Sequence, residues 1–247
     1  MAGHSKWANI KHRKARQDAV RGKLWSKCSR AIIVAAKAGG SDPEMNLSLR
    51  YAIDEARAAN MPKDTIEKAI KKGSGETGEA ANYEEVRYEG YGPGGVAIIV
   101  DCLTDNLNRT APEMRTIFEK CGGNLGKPGA VAFGFSSKGL IVIEASKVSE
   151  DTLMEIAIEA GADDVAESGG AWEVTCAPAD FIGVKEAIVA AGIEPDSAEL
   201  TMIPANTIEC NATIGAKVLR LLDAIEEHDD VQKVYSNADI PEEVMAR

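Results

Sequence analysis

The stretch LIVIEASKVSEDTLMEIAIEAG (140–161) decides the fold of the second half of the chain. Its first five residues, Leu140–Glu144, form an apolar run that predicts a buried strand. Ser149 then stands at the N-cap position of a helix that Gly161 ends. The apolar residues of this helix recur at helical spacing, at Leu153, Ile156, Ala157 and Ala160.

The same order of elements continues after Gly161. Two strands, DVAES (164–168) and WEVTC (172–176), surround a Gly-Gly turn. A second helix, with Phe181 and Ile188 inward, ends at Gly192, and residues 198–203 give a last strand. The order βαββαβ is that of the ferredoxin-like fold.

The segments before and after the βαββαβ unit contain helices and strands that do not belong to it. Residues 83–91 alternate polar and apolar, Gly92–Gly95 is a turn and residues 96–103 are apolar, which predicts a β-hairpin. A helix over 109–121 and a strand over 131–135 follow, and a further helix (213–228) and strand (231–235) come much later. We therefore predict that residues 139–203 are inserted into an α/β domain formed by residues 83–138 and 204–247.

The beginning of the chain is helical in pattern. An apolar stripe at 3–4 spacing runs from Leu24 to Ala35 and stops at Gly39-Gly40. Ser41 and Glu44 have capping-box spacing, so a second helix is expected there, and a third from Pro62. The Gly- and Ser-rich residues 73–78 are typical of a linker. The expected fold class is α+β, with a helical domain (1–78) followed by two α/β domains.

Charge is distributed very unevenly along the chain. Residues 1–37 hold ten Lys and Arg against the single acid Asp18, a net charge of +9 in a protein whose total is −11. Residues 1–80 carry +7 and residues 81–247 carry −18. Cations crowded in this way repel one another, so the segment is typical of a surface that meets a polyanion such as nucleic acid.

The candidate nucleic-acid site lies in this basic segment. Arg16, Lys23, Lys27, Arg30 and Lys37 would form one ridge if a single helix carries them. Trp7 could stack on a base or pack in a core, and His12 could contact phosphate or simply face solvent. The predicted site consists of the residues Lys6, Trp7, Lys11, His12, Arg13, Lys14, Arg16, Lys23, Lys27 and Arg30.

Three segments resemble the YebC family: AGHSKWANIKHRK (2–14), KLWSK (23–27) and NMPKDTIE (60–67). The resemblance extends over essentially the whole chain. The family includes bacterial proteins classed as probable transcriptional regulators and the mitochondrial translational activator of cytochrome oxidase. It implies a helical domain with two α/β domains, and a regulatory function.

No constellation of catalytic residues is recognisable. The Gly-rich run Gly90–Gly95 lies between strands rather than at a helix start, so it does not predict dinucleotide binding. The pairs Asp163-Asp164 and Asp229-Asp230 are typical of solvated turns. The five Cys are scattered without a C-x-x-C pair, which predicts neither a disulfide framework nor a zinc site. We expect no cofactor, no metal and no enzymatic activity.

The sequence thus predicts a cytoplasmic regulator that binds DNA through its basic helices and acts in transcription. Ribosomal RNA or the ribosome is the alternative target for the same surface, which would make the protein a translation factor. An enzyme with a site between the two α/β domains is the third possibility. The acidic domains should project away from the polyanion and contact protein partners, and no membrane contact is expected.

Overall fold

The computed structural model describes residues 21–76 and 82–245. The helical part packs around a small aliphatic core that includes Ile32, Leu49 and Ala56. Its helices are α1 (Arg21–Gly39), α2 (Leu47–Ala58) and α3 (Lys63–Gly73). The apolar stripe predicted for α1 faces this core, as do Leu49, Ala52, Ile53 and Ala56 of α2.

The start of α2 differs from the prediction. Residues 41–46 are not helical, and the N-cap is Asn46, whose side-chain oxygen accepts from Leu49 N at 3.1 Å. The same amide donates to the carbonyls of Ala35 and Gly40, both at 2.8 Å. Because one buried side chain satisfies the end of α1 and the start of α2, it takes the capping role from Ser41.

The first sheet combines early and late parts of the chain. Its strands are β1 (Glu84–Tyr91), β2 (Ala97–Thr104), β3 (Asn124–Leu125) and β9 (Val231–Ser236), in the order β3-β1-β2-β9. The predicted hairpin is confirmed, since β1 pairs with β2 antiparallel from Glu84 to Tyr91. Helices α4 (Leu107–Lys120) and α7 (Ala212–Glu226) pack against it through Phe118 and Leu221.

The strand predicted over Val131–Phe135 is wrong. Residues Ala132–Gly134 form a 3-10 turn, and β4 (Phe135–Glu144) begins only after it. The backbone N–H groups of Val131 and Ala132 donate to the Glu89 carboxylate and so are not available for strand pairing.

The second sheet is the ferredoxin-like one. It contains β4, β5 (Ala162–Ser168), β6 (Ala171–Cys176) and β7 (Ser197–Pro204), antiparallel throughout, in the order β5-β6-β4-β7. Helices α5 (Glu150–Glu159) and α6 (Phe181–Ala190) connect them. The Ser149 hydroxyl caps α5, as predicted, by accepting from Thr152 N.

The last elements return to the first sheet, because β9 pairs with β2. A short parallel pair, β8 (Ile208–Glu209) with β10 (Ala238–Asp239), and a final helix α8 (Glu242–Met245) flank α7. The α+β fold class with a ferredoxin-like insertion is therefore confirmed. The domain limits 1–78, 83–138 with 204–247, and 139–203 remain our proposal, which these pairings support.

Within the described ranges, none of the helices has the length and apolar character needed to span a membrane.

Gly139 in β4 gives a test of this packing. A Cβ atom there would lie 2.6 Å from Cys176 Sγ and 2.7 Å from Phe181 Cδ2, so Gly139→Ala must push β6 or α6 outward. We expect urea denaturation to show a loss of about 1–3 kcal/mol. In the control Gly183→Ala, on α6 with no atom within 4 Å of the new Cβ, stability should rise by about 0.5–1 kcal/mol. Equal stabilities for the two variants would contradict this account.

Candidate nucleic-acid interface

The predicted site divides at the start of α1. Lys6, Trp7, Lys11, His12, Arg13, Lys14 and Arg16 lie outside the described residues. Lys23, Lys27 and Arg30 lie on one face of α1, because steps of four and three residues return to the same side of a helix. Of the five residues of the predicted ridge, all but Arg16 are described, and Lys23, Lys27 and Arg30 form a continuous cationic face.

That face contacts the end of α7. Lys23 Nζ donates to the Glu227 carbonyl at 2.9 Å and Lys27 Nζ to the Glu226 carbonyl at 3.0 Å. Arg30 Nη1 donates to the carbonyl of Asp229. The last carbonyls of a helix lack intrahelical partners and carry the negative end of its dipole, so Lys23 and Lys27 are a favourable cap. Arg30 binds the turn that follows the helix. We call these three cations and residues 226–230 the α1–α7 clamp.

Two ion pairs reinforce the clamp to different degrees. Lys23 Nζ lies 3.6 Å from Asp229 Oδ1, with the two side chains 50% and 73% exposed. Solvent screens such a pair, so it contributes little. Arg30 Nη1 lies 3.7 Å from Asp230 Oδ1, and here the side chains are only 16% and 7% exposed. Of these two ion pairs, the one made by Arg30 is therefore screened least by water.

Asp230 is the buried centre on the α7 side. Its Oδ2 accepts from Thr110 Oγ1 at 2.8 Å, Thr104 Oγ1 at 3.1 Å and Arg109 Nη2 at 2.8 Å. Burial by itself would raise the pKa of this carboxyl group, but the hydrogen bonds from Arg109, Thr110 and Thr104 outweigh it, and the pKa is lowered. The prediction that Asp229 and Asp230 are both solvated turn residues is thus wrong for Asp230.

His228 holds the same turn against α4. Its Nδ1 accepts from Asp230 N at 3.1 Å, which leaves the ring proton on Nε2, and Nε2 lies 2.8 Å from Glu113 Oε2. The histidine thus orients the turn by hydrogen bonds on both ring nitrogens, and it does not face outward as a ligand.

A second contact joins the helical part to both α/β sheets. Lys233 on β9 donates to Glu55 on α2 and to the Leu200 carbonyl on β7. Burial alone would lower the pKa of Lys233, but the carboxylates of Glu55 and Glu199 raise it above its ordinary value. The ammonium group therefore stays charged at a junction of three parts of the chain.

A third contact joins α2 to helix α6 of the ferredoxin-like unit and to the loop before it. Tyr51 Oη donates to the Pro178 carbonyl at 2.7 Å, and its ring lies 6.0 Å from that of Phe181. Lys185 Nζ lies 3.3 Å from Asp54 Oδ2. The helical part is thus held against the body of the molecule at several points.

These contacts correct the expectation that the acidic domains project away from the cationic face. Residues 226–230 of an acidic domain lie directly on it, because helix-end carbonyls and carboxylates neutralise the same cations that phosphate would. Sequence reasoning could not identify Asp230 as the buried partner of Arg30, since Arg30 and the adjacent Asp229 are 199 residues apart.

Within residues 21–76 and 82–245, two carboxyl groups have shifted pKa values, and neither is poised for proton transfer. The pKa values of Asp230 and Glu89 are both lowered, so each stays an anion held by hydrogen bonds. Burial raises the pKa of the Cys28 thiol to about 11 and of the Cys102 thiol to about 12, which keeps them protonated. Among residues 21–76 and 82–245, no cluster of three or more His, Cys, Asp or Glu is placed to hold a metal ion.

Neutralising Arg30 tests the clamp. Arg30→Met keeps the apolar stem but removes the donors to Asp229 and the partner of Asp230, so we expect a loss of about 1–3 kcal/mol in the free energy of unfolding. Hydrogen exchange of amides 228–231 should accelerate. Lys68→Met, an exposed cation of α3, is the control and should change neither quantity. Identical behaviour of the two variants would show that the clamp does not hold the domains together.

Asp230→Asn tests the buried carboxylate through pH. Because the folded-state pKa lies below the ordinary value of 3.8, the carboxylate stabilises the fold fully above that value and ceases to do so as pH falls through the lower pKa. Wild type should exceed Asp230→Asn by about 1–3 kcal/mol at neutral pH. Chemical denaturation at a series of pH values should show this difference shrinking below about pH 4. A difference independent of pH would contradict the assignment.

Comparison with known proteins covers the whole chain. The profile described as the TACO1/YebC protein N-terminal domain matches residues 5–76, and that of the TACO1/YebC second and third domain matches residues 83–238. A probable transcriptional regulatory protein of Desulfatibacillum aliphaticivorans is 54% identical over 245 residues, covering 99% of each chain. One of Rubrobacter xylanophilus is 52% identical over 246 residues, covering 100% of this chain and 98% of that protein.

A solved structure agrees with these matches. The crystal structure of a conserved hypothetical protein from Aquifex aeolicus superimposes with a TM-score of 0.80 at 48% identity, covering 92% of this chain and 93% of that one. The resemblance seen in residues 2–14, 23–27 and 60–67 is thereby confirmed. The chain belongs to the TACO1/YebC family.

Proposed function

We propose that the protein is a non-enzymatic regulator of gene expression that binds nucleic acid through its basic N-terminal segment. Relatives at more than 50% identity over the full chain are named probable transcriptional regulatory proteins. We take DNA as the target and the cytoplasm as the compartment.

The observation that carries the proposal is the excess of cations beyond those the clamp uses. The clamp engages Lys23, Lys27 and Arg30. Residues 1–21 hold six more, against the single acid Asp18. These six are Lys6, Lys11, Arg13, Lys14, Arg16 and Arg21. A segment of that charge on a protein of net −11 is suited to phosphate.

The clamp suggests two roles for the ten residues of the predicted site. Lys27 and Arg30 hold α1 against α7, and Lys23, with half of its side chain exposed, reaches both the clamp and solvent. We propose that Lys6, Lys11, Arg13, Lys14 and Arg16 contact phosphate, with Trp7 and His12 at the bases. Phosphate contacts position a protein on nucleic acid but carry little base sequence information.

The acidic remainder of the chain has a different partner in this proposal. Residues 81–247 carry a net charge of −18, so their acidic surface repels nucleic acid. A protein with a basic surface is the partner that fits this charge.

Charge reversal upstream of the clamp tests the function. Reversing Lys23, Lys27 and Arg30 would confound binding with domain docking, so the triple variant is Lys11→Glu, Arg13→Glu and Lys14→Glu. We expect its affinity for duplex DNA, measured by fluorescence anisotropy at several salt concentrations, to fall steeply. The slope of log K against log salt should shrink by about 0.9 for each phosphate that the variant no longer neutralises.

The matched control reverses three exposed cations of α3, at Lys63, Lys68 and Lys71. Equally weakened binding in both triple variants would show that the segment has no special role. Crosslinking in cells, followed by sequencing of the bound nucleic acid, then identifies the target. Promoter fragments support transcriptional regulation, whereas ribosomal RNA would overturn it in favour of a translation factor.

A further inference from the structure

Phe133 is an aromatic side chain held out into solvent. It is 86% exposed, whereas its neighbours two positions away, Val131 and Phe135, are 3% and 9% exposed. Both neighbours pack with Ile99 in a small cluster beneath the loop. The loop is therefore anchored on each side of an outward-facing ring.

A buried carboxylate fixes the backbone that carries this ring. Glu89 is 5% exposed; its Oε1 accepts from Gly129 N at 2.7 Å, and its Oε2 accepts from Val131 N at 2.7 Å and Ala132 N at 2.8 Å. Burial would raise the pKa of Glu89, but these three backbone donors lower it. An ionised side chain thus organises the turn immediately before Phe133.

Further hydrogen bonds tie both ends of the loop. Gly126 N donates to the Glu89 carbonyl at 2.7 Å, and Tyr91 Oη donates to the Ala130 carbonyl at 3.0 Å. After the ring, Ala205 N donates to the Gly134 carbonyl at 2.8 Å. The loop is ordered before it meets any ligand, so binding through Phe133 costs little backbone entropy.

The segment that contains this loop differs in charge from the rest of residues 81–247. Residues 120–143 contain three Lys and no Asp or Glu, in a part of the chain, 81–247, that holds 30 acids and 12 bases. Lys138 pairs with Asp163, while Lys127 is exposed and makes no ion pair within the described residues. A protein partner suited to the acidic surface would be basic, and Lys127 would repel it. A polyanion is the better match.

We propose that the loop over residues 126–134 is a second nucleic-acid contact, in which Phe133 stacks on an unpaired base and Lys127 lies near the adjoining phosphate. An exposed ring offers its faces to any base, and stacking of this kind does not depend on base identity. A duplex hides its base faces, so the loop selects single-stranded or looped segments. This inference rests on the proposed function for its ligand class but not on the basic N-terminal segment for its contact.

The experiment compares two DNA probes of equal length, one single-stranded and one fully paired, each bound by the full-length protein. Phe133→Ala should weaken binding of the single-stranded probe by about tenfold and leave the paired probe unchanged. Phe133→Trp should retain binding. Val189→Ala, which trims an exposed apolar side chain on α6, is the control and should match wild type.

Two further measurements address the mechanism. A 2-aminopurine base in the single-stranded probe should change its fluorescence on binding wild type and not on binding Phe133→Ala. Glu89→Gln removes the ionised acceptor, so it should weaken single-stranded binding while Phe133 itself is intact.

The outcomes separate this inference from the proposed function. If charge reversal of Lys11, Arg13 and Lys14 abolishes binding while Phe133→Ala has no effect, the inference about the loop is wrong and the proposed function stands. If Phe133→Ala weakens binding and the charge reversal does not, the inference about the loop stands and the role proposed for the basic N-terminal segment is wrong. If Phe133→Ala weakened binding of both probes equally, stacking on an unpaired base would be wrong. If the wild-type protein bound neither probe, both proposals would be wrong.

Discussion

The contact between three cations of α1 and the carbonyl end of α7 fixes where the helical domain lies. Lys23 and Lys27 donate to carbonyls at the end of α7 that the helix cannot satisfy internally, and Arg30 donates to a carbonyl of the turn that follows. Main-chain acceptors cannot be removed by substitution, so the contact tolerates change at residues 226–229 better than change at the cations. Asp230 adds a buried carboxylate to the clamp, itself held by Thr104, Thr110 and Arg109.

Two buried acids serve the same physical purpose in different places. Glu89 gathers the backbone donors of Gly129, Val131 and Ala132, and Asp230 gathers hydroxyl and guanidinium donors at the clamp. In each case the hydrogen bonds outweigh desolvation and keep the group ionised. Glu89 therefore orders the loop that carries Phe133, and Asp230 helps to hold α1, the helix that follows the basic segment in the sequence.

Some cations of this chain bind acceptors within the protein and others are proposed to bind phosphate. A count of Lys and Arg does not distinguish the two groups. Some neutralise the molecule's own helix ends and carboxylates, as in the clamp and at Lys233. Five of the six cations of residues 1–21 are the ones we assign to phosphate in the basic segment. Internal acceptors compete with phosphate for these cations, because a cation near residues 226–230 already lies beside carbonyls and carboxylates of the protein.

The sequence by itself determined the order of helices and strands, since periods of 3.6 and 2 residues reflect burial on one face and need only local information. It also determined the family and the charge asymmetry. It misplaced the start of α2 and the strand before β4, because Asn46 and Glu89 redirect backbone hydrogen bonds there. Only the tertiary structure decided which cations of α1 meet internal acceptors, which acid is buried and which aromatic is exposed, since each depends on contacts between residues far apart in the chain.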